Sequence, residues 1–238
     1  TAYKAAIADG VDIVVKIDGD GQMNPALLHH FVRPLLRGEA DYTKGNRFFR
    51  PESVQGMPPV RLFGNAVLSF MTKLSCGYWN IMDPTNGYTA ARTCVLAELP
   101  LDKLEQRYFF ETDMLFRLNT VRAVVKDVPM DAVYADEESH LKVGKVLPEF
   151  LRKHASRLWR RYVYSYLVRD FNVGSVYSLV GLVLLTFGLF FGLYGWISGV
   201  QHAAPATSGT VMLAALPVIV GIQCWIAFLH HDVSNVPT

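Results

Sequence analysis

Apolar and polar positions change period several times along the 238-residue chain. Thr1 to Asp9 is alanine-rich with helical character and stops at Gly10, a plausible helix C-cap. Val11 to Ile17 (VDIVVKI) is β-branched and mostly apolar, as a strand buried in a parallel sheet requires. It runs straight into Asp18-Gly19-Asp20-Gly21. Ala26 to Arg37 is helix-like, with Pro34 expected to kink or shorten it. Ala40 to Lys44 reads as a short strand ahead of Gly45-Asn46-Arg47. Three prolines and Gln55-Gly56 between Phe48 and Pro59 indicate a mobile loop. Arg61 to Leu74 is an apolar-periodic helix, Met82 to Asn86 a turn, and Gly87 to Arg92 a strand entering Cys94 to Leu99. Gln106 to Leu118 is a helix with acids inside an apolar pattern, and Ala123 to Val128 is a last strand. This alternation predicts an α/β domain with a mostly parallel sheet over residues 1–150. Ligands of such sheets bind at the carboxyl ends of strands, where the acidic turn falls.

Beyond residue 150 the pattern changes. Leu151 to Asp170 interleaves Arg152, Lys153, Arg157, Arg160, Arg161 and Arg169 with Trp159, Tyr162, Tyr164 and Tyr166, and no acid lies among residues 152–169. That is the pattern of a basic amphipathic helix on an anionic membrane surface, its aromatics at headgroup level. A solvated basic helix face would look alike; the apolar run that follows favours the membrane. Between Asp170 and Asp232 there is no Asp, Glu, Lys or Arg. About 20 apolar residues cross a bilayer, so residues 174–200 and 210–231 predict two transmembrane helices. They are joined by the Pro205-containing break at 201–209 into a hairpin over 171–232. The positive-inside rule then puts residues 1–170 in the cytoplasm.

Composition sharpens this picture. With 51% hydrophobic and 18% charged residues the chain is not disordered, and the uncharged stretch excludes a wholly soluble protein. A net charge of +2 is too small to argue for nucleic acid. Cys76, Cys94 and Cys224 form no CxxC pair and support neither a zinc site nor a disulfide framework. No N-terminal signal peptide is visible.

Asp18-x-Asp20 at a strand end carries the most chemistry. Two carboxylates on one turn can hold a hard divalent cation, with Gln22 offering an amide oxygen on the same rim. Such a cation would neutralise a leaving diphosphate. An acidic glycine turn with no ligand would read the same way taken alone. An EF-hand loop does not fit, because Gln22, Met23 and His29 stand where that loop needs Asp or Asn, Gly and Glu.

In chain order, VVKIDGDGQMNP, YTKGNRF, MDPTNGYTAAR and FFETDMLFRL resemble family-2 glycosyltransferases of GT-A (Rossmann-like) fold. The similarity points to polyprenyl-phosphate sugar transferases, including dolichyl-phosphate mannose synthase-like enzymes. It covers about residues 1–150, and the basic helix plus hairpin suits the same subgroup. The resemblance implies an inverting, metal-dependent hexosyltransferase of cell-envelope glycan synthesis. Its partners would be a nucleotide-sugar donor, a polyprenyl or dolichyl phosphate acceptor and membrane lipids, with room for a homo-oligomer. Its place would be the inner membrane or an equivalent, with the catalytic domain cytoplasmic.

By the same resemblance, Asp18, Asp20 and Gln22 would hold Mg²⁺ or Mn²⁺. Arg47 would face the lipid phosphate together with Arg61, since a guanidinium fork suits phosphate. Asp83, Glu111 and Asp113 would be the catalytic carboxylates. A phosphate acceptor is already ionised at pH 7, however, so the need for a general base falls and Glu111 and Asp113 would then mainly organise the site. Asn86 stands where the family usually has Ser. Ser139 and Lys142 would contact phosphates. No strand for the nucleotide base precedes Thr1, so the similarity implies a partial domain, truncated at its N-terminus, that binds nucleotide-sugar weakly on its own.

Two rival readings remain open. One is a polysaccharide-polymerising synthase of the same superfamily, disfavoured because the chain has no QxxRW and only two spans. The other is a non-catalytic membrane scaffold, against which the DxD and the basic residues argue.

Overall fold

The protein, seen in a computed structural model, is described over residues 2–19, 21, 23–49, 59–131 and 143–238, without the side chains of 59–61 and 143–146. It forms two compact units, Thr1–Tyr162 with Val236–Thr238, and Val163–Asn235.

The first unit opens with helix α1 (Ala2–Ala8), which stops where the sequence predicts. Gly10 adopts φ +70°, and Val11 N–H donates to the Ala6 carbonyl, which closes the helix end. Strand β1 (Ile13–Lys16) follows, then a 3₁₀ turn at Pro25–Leu27 capped by Asn24, and helix α2 (Leu28–Leu36). Pro34 falls in the last turn of α2. It shortens the helix without kinking its core-facing stripe, since Phe31 and Leu35 are both buried. Phe31 stacks on Tyr88 with ring centroids 3.9 Å apart, a contact worth about 1 kcal/mol beyond its buried area.

Strands β2 (Tyr42–Asn46), β3 (Thr89–Arg92) and β4 (Val125–Pro129) complete a sheet of order β1-β3-β2-β4. The domain is α/β as expected, and β1, β2 and β4 all point the same way. β3 runs against its two neighbours, so the sheet is mixed. Strand direction is not encoded in an apolar run, which is why the sequence pattern does not show this.

Helices α3 (Pro59–Cys76), α4 (Thr93–Ala97) and α5 (Phe110–Thr120) pack around the sheet. Met114, Leu115 and Leu118 of α5 join Tyr42, Tyr78 and Val125 in the main core. Most of the proline-rich segment read as a loop lies outside the described residues.

Helix α6 (Val143–Tyr162) brings part of the basic segment to partners elsewhere in the first unit. Among the six bases counted there without a local acid, Lys153, Arg157 and Arg161 are engaged by the fold of the first unit. Lys153 pairs with Glu105 at 2.9 Å. Arg157 pairs with Asp113 at 2.6 Å and Glu105 at 3.0 Å. Arg161 donates to the Leu74 carbonyl at 2.9 Å. Counting charges along the sequence cannot see acids that tertiary folding supplies.

His154 of α6 is buried and hydrogen-bonded through Nδ1 to Ser75 Oγ at 2.9 Å. Burial lowers its pKa to about 4. The unfolded imidazole takes a proton near its ordinary pKa of about 6.5, whereas the folded one refuses it until about 4. The unfolded state therefore binds more protons in that window, and stability falls as pH drops through it. His154→Gln should flatten the decline in melting temperature between pH 7 and 4.5; an unchanged slope would refute this assignment.

The second unit opens with a π-helical turn at Val163–Arg169, followed by helices α7 (Val173–Gln201) and α8 (Ser208–Ser234). Asn172 and Ser175 form a capping box at the start of α7. Gly181 and Gly188 of α7 and Gly221 of α8 let the two backbones approach, since a Cβ at Gly221 would sit 3.0 Å from the Gly181 carbonyl oxygen. Tyr166 donates to Asp232 Oδ1 at 2.6 Å. Both helices are long and apolar enough to cross a membrane, each with a mean hydropathy of 2.2 over its most apolar stretch.

Candidate active site

The reversed direction of β3 assembles the site. Lys16 at the end of β1 and Lys44 near the end of β2 both register on Thr89, the first residue of β3. The turn before β3, residues 83–87, therefore lies at the sheet edge where β1 and β2 release Asp18 and Arg47. Asn46 registers on Pro129, so β4 ends at this edge too.

Two glycines permit this crowding. A Cβ on Gly87 would stand 1.8 Å from Asp18 Oδ2. One on Gly45 would stand 2.6 Å from Met130 Sδ and 2.9 Å from Asn86 Nδ2. The GNR and NGY motifs thus need their glycines for close approach rather than for a special φ.

Asp18 is partly exposed, and Lys16 Nζ donates to its Oδ1 at 2.9 Å. The same ammonium donates to Glu111 Oε1 at 3.1 Å and lies 5.4 Å from the Phe110 ring centroid. Desolvation is the largest influence on Lys16 and pulls its pKa down, but the two carboxylates together outweigh it and leave the pKa raised. Asp18 and Glu111 are therefore brought together through a lysine that the motif reading passed over. Its signal was present: a lone charge inside the strand VVKI.

Arg47 and Asp83 form the second cluster. Arg47 donates from Nε to Asp83 Oδ2 at 2.7 Å, from Nη2 to Oδ1 at 3.1 Å, and from its backbone N–H to Oδ2 at 3.2 Å. Asp83 is fully buried, and Asn86 Nδ2 donates to it as well. Both oxygens of Asp83, expected from the resemblance to be catalytic, are thus occupied in orienting Arg47. Asn86, the departure from the family pattern, also accepts the Tyr88 N–H at 2.9 Å and closes the turn.

Lys44, also unforeseen, is buried and donates to the Asn86 carbonyl. Burial lowers its pKa to about 8. Asp127 of β4 accepts from Asn46 Nδ2 and the Met82 N–H, each at 2.9 Å, yet burial raises it to about 6.

Asp113 is not in this group. It is fully buried, and its oxygens accept from Arg117 Nε at 2.9 Å, Arg157 Nε at 2.6 Å and the Glu105 N–H at 3.0 Å. With both oxygens taken up by these donors, we read Asp113 as a structural tie between α5 and α6, in keeping with the organising role expected of it for an ionised acceptor. Two residues apart on α5, it and Glu111 face different surroundings.

Asp20, Gln22, Ser139 and Lys142 lie outside the described residues, as does the side chain of Arg61, whose backbone is in α3. Among the described residues no three His, Cys, Asp or Glu side chains converge as a metal site. Asp18 alone of the expected ligands is seen, and as a partly exposed oxygen donor at a strand end it fits a hard cation.

No family model matches the chain. Over 136 residues it is 29% identical to a UDP-N-acetylglucosamine–dolichyl-phosphate N-acetylglucosaminyltransferase of Methanococcus voltae, across 57% of this chain and 54% of that protein. Over 132 residues it is 27% identical to an undecaprenyl-phosphate mannosyltransferase of Micrococcus luteus, across 55% and 53% respectively. The chain thus spans about half the length of the curated relatives it matches. Among solved structures, glucosyl-3-phosphoglycerate synthase from Mycobacterium tuberculosis in complex with UDP superposes with a TM-score of 0.45 at 22% identity, over 66% of this chain and 53% of that one.

Proposed function

We propose that this chain, which resembles family-2 glycosyltransferases in its motifs and in the relatives it matches, is part of a membrane-anchored enzyme that moves a sugar from a nucleotide-sugar to a polyprenyl phosphate. The observation that carries this reading is the meeting, at one sheet edge, of the Asp18–Lys16–Glu111 cluster and an Arg47 guanidinium fixed by Asp83. Through a divalent cation the first cluster suits a donor diphosphate, and the guanidinium suits an acceptor phosphate. The curated relatives, whose names give polyprenyl-phosphate acceptors, support the choice.

In this reaction an oxygen of the lipid phosphate attacks the anomeric carbon as the bond to the diphosphate breaks. The configuration inverts, and the nucleoside diphosphate leaves with the bonding electrons. Because the acceptor is ionised, positioning and charge neutralisation supply most of the rate. Arg47 holds the acceptor phosphate, and Asp83 keeps the guanidinium in place. Lys16 keeps Glu111 beside Asp18. Asp18, with Asp20 and Gln22, would hold Mg²⁺ or Mn²⁺, which would supply charge neutralisation for the departing diphosphate. α7 and α8 would span the inner or an equivalent membrane, with the first unit on its cytoplasmic face.

The test is incubation of membranes bearing the full chain with a panel of radiolabelled nucleotide-sugars and polyprenyl phosphate. Label extractable into organic solvent as an acid-labile lipid phosphate supports the reading. Label retained in a water-soluble or insoluble polymer would point to a polymerising synthase, and no incorporation to a scaffold. In the same assay Arg47→Lys is expected to cost on the order of 10²-fold in kcat/KM for the lipid, because an ammonium cannot answer Asp83 and a phosphate as a planar fork does. A change of less than about threefold would remove Arg47 from the acceptor site, being under about 1 kcal/mol.

A further inference from the structure

We propose that Asp127 of β4 is a positioning residue for the acceptor-phosphate clamp, tying together the two chain segments that carry Arg47 and Asp83. The inference deepens the proposed function and rests on reading Arg47 as the group that holds the acceptor phosphate.

The Arg47–Asp83 pair joins residues 36 apart in sequence. Its geometry depends on how the end of β2 and the turn before β3 are held against each other. Asp127 Oδ2 accepts from both segments, from Asn46 Nδ2 at 2.9 Å and from the Met82 N–H at 2.9 Å. Asn46 immediately precedes Arg47, and Met82 immediately precedes Asp83. Asn46 Oδ1 also accepts the Phe48 N–H at 2.9 Å, so this side chain brackets Arg47. Ser69 of α3 donates to the Met82 carbonyl at 3.2 Å, which holds the residue before Asp83 at both of its backbone polar groups. One carboxylate oxygen thereby sets the spacing between the two partners of the clamp, and a clamp is as precise as the groups that support it.

Sheet register puts Asp127 in this place. It shares a face of β4 with Val125, which lies in the main core. β4 pairs in parallel with β2, Asp127 opposite Lys44 and Pro129 opposite Asn46. The carboxylate starts beside Lys44 and reaches diagonally to Asn46.

An amide oxygen could meet the same two donors, since Asp127 Oδ1 is buried and accepts nothing among the described residues. Burying a charge with one oxygen unanswered is costly. What the charge adds is strength, because a hydrogen bond to an ionised oxygen is roughly twice as strong as a neutral one. Burial, aided by the Asp83 charge, raises the pKa of Asp127 to about 6 against the Met82 N–H, Lys44 of β2 and Asn46. The tie is therefore at full strength above that pH and weakens as Asp127 takes up a proton below it.

The test measures binding of farnesyl phosphate, a short polyprenyl phosphate, to the full chain in detergent micelles by titration calorimetry. Asp127→Asn should weaken binding on the order of tenfold at about pH 7.5, as two charge-assisted hydrogen bonds become neutral ones. The second ionisation of the phosphate, near about pH 6, is common to both proteins and cancels in the ratio of their dissociation constants. That ratio should fall toward one between about pH 7.5 and about pH 5, with its midpoint near the Asp127 pKa of about 6. Because Asp127 acts through Arg47, its replacement should add less than about twofold once Arg47→Lys is in place. A ratio that does not change with pH, or a further loss of about tenfold in the Arg47→Lys background, would overturn the inference and leave the clamp reading intact. Binding that Arg47→Lys weakens by less than about threefold, or no binding at all, would overturn the clamp reading and this inference with it. Asn is nearly isosteric with Asp, so the fold should survive the change. Should Asp127→Asn not fold, Asn46→Ala removes one arm of the tie and is expected to weaken binding several-fold; unchanged binding would equally overturn the inference.

Discussion

Asp113→Ala is expected to lower the stability of the first unit by about 3–5 kcal/mol, the cost of leaving buried charges without their counter-ion. The carboxylate accepts from Arg117 at 2.9 Å and from Arg157 at 2.6 Å, and both guanidinium side chains are at most 10% exposed. Without it, Arg157 keeps Glu105 at 3.0 Å, a carboxylate it shares with Lys153 at 2.9 Å. Thermal unfolding of the full chain should show the loss as a fall on the order of 10 °C. Adding Arg157→Met to Asp113→Ala should recover part of it, since an apolar side chain needs no counter-ion. Asp113→Asn, assayed below its melting temperature, should retain transfer activity. Normal melting with abolished turnover would return Asp113 to the catalytic group.

That contrast shows which parts of the fold were legible in the sequence. α1, β1, α2 and the turn at Asp83 follow from local physics: β-branched runs, Gly10 in the left-handed region, a proline in a last turn. The direction of β3 is non-local, and it is what brings Asp83, Asn86 and Gly87 to Asp18 and Arg47. The acids of FFETDM looked equivalent in the sequence, yet two residues of helix rotation separate a site group from a buried tie. The bases of α6 looked uncompensated because their acids, Glu105 and Asp113, lie far back in the chain. Lys16 and Lys44 stand inside VVKIDGDGQMNP and YTKGNRF, where the acids and Arg47 carry the implied chemistry, although burial in a strand is itself what makes a lysine informative.

Asp18→Asn is expected to lower formation of lipid-linked sugar on the order of 10³-fold, comparable to removing a group that stabilises developing charge in a transition state. The substitution keeps the shape that Gly87 accommodates, where a bulkier change would press on a backbone with no room for a Cβ. It removes the charge that Lys16 answers and that a divalent cation would need. Lys16 keeps Glu111 at 3.1 Å, and the Asp18 side chain is 42% exposed, so stability should change by less than about 1 kcal/mol. Lost turnover with unaltered melting is thus the expected pair of results, and raising the Mn²⁺ concentration should restore part of the activity by mass action on a weakened site. Near-normal turnover by Asp18→Asn would remove this residue from the donor site. An equal loss of stability and activity would show instead that the Asp18–Lys16–Glu111 cluster is a structural clasp.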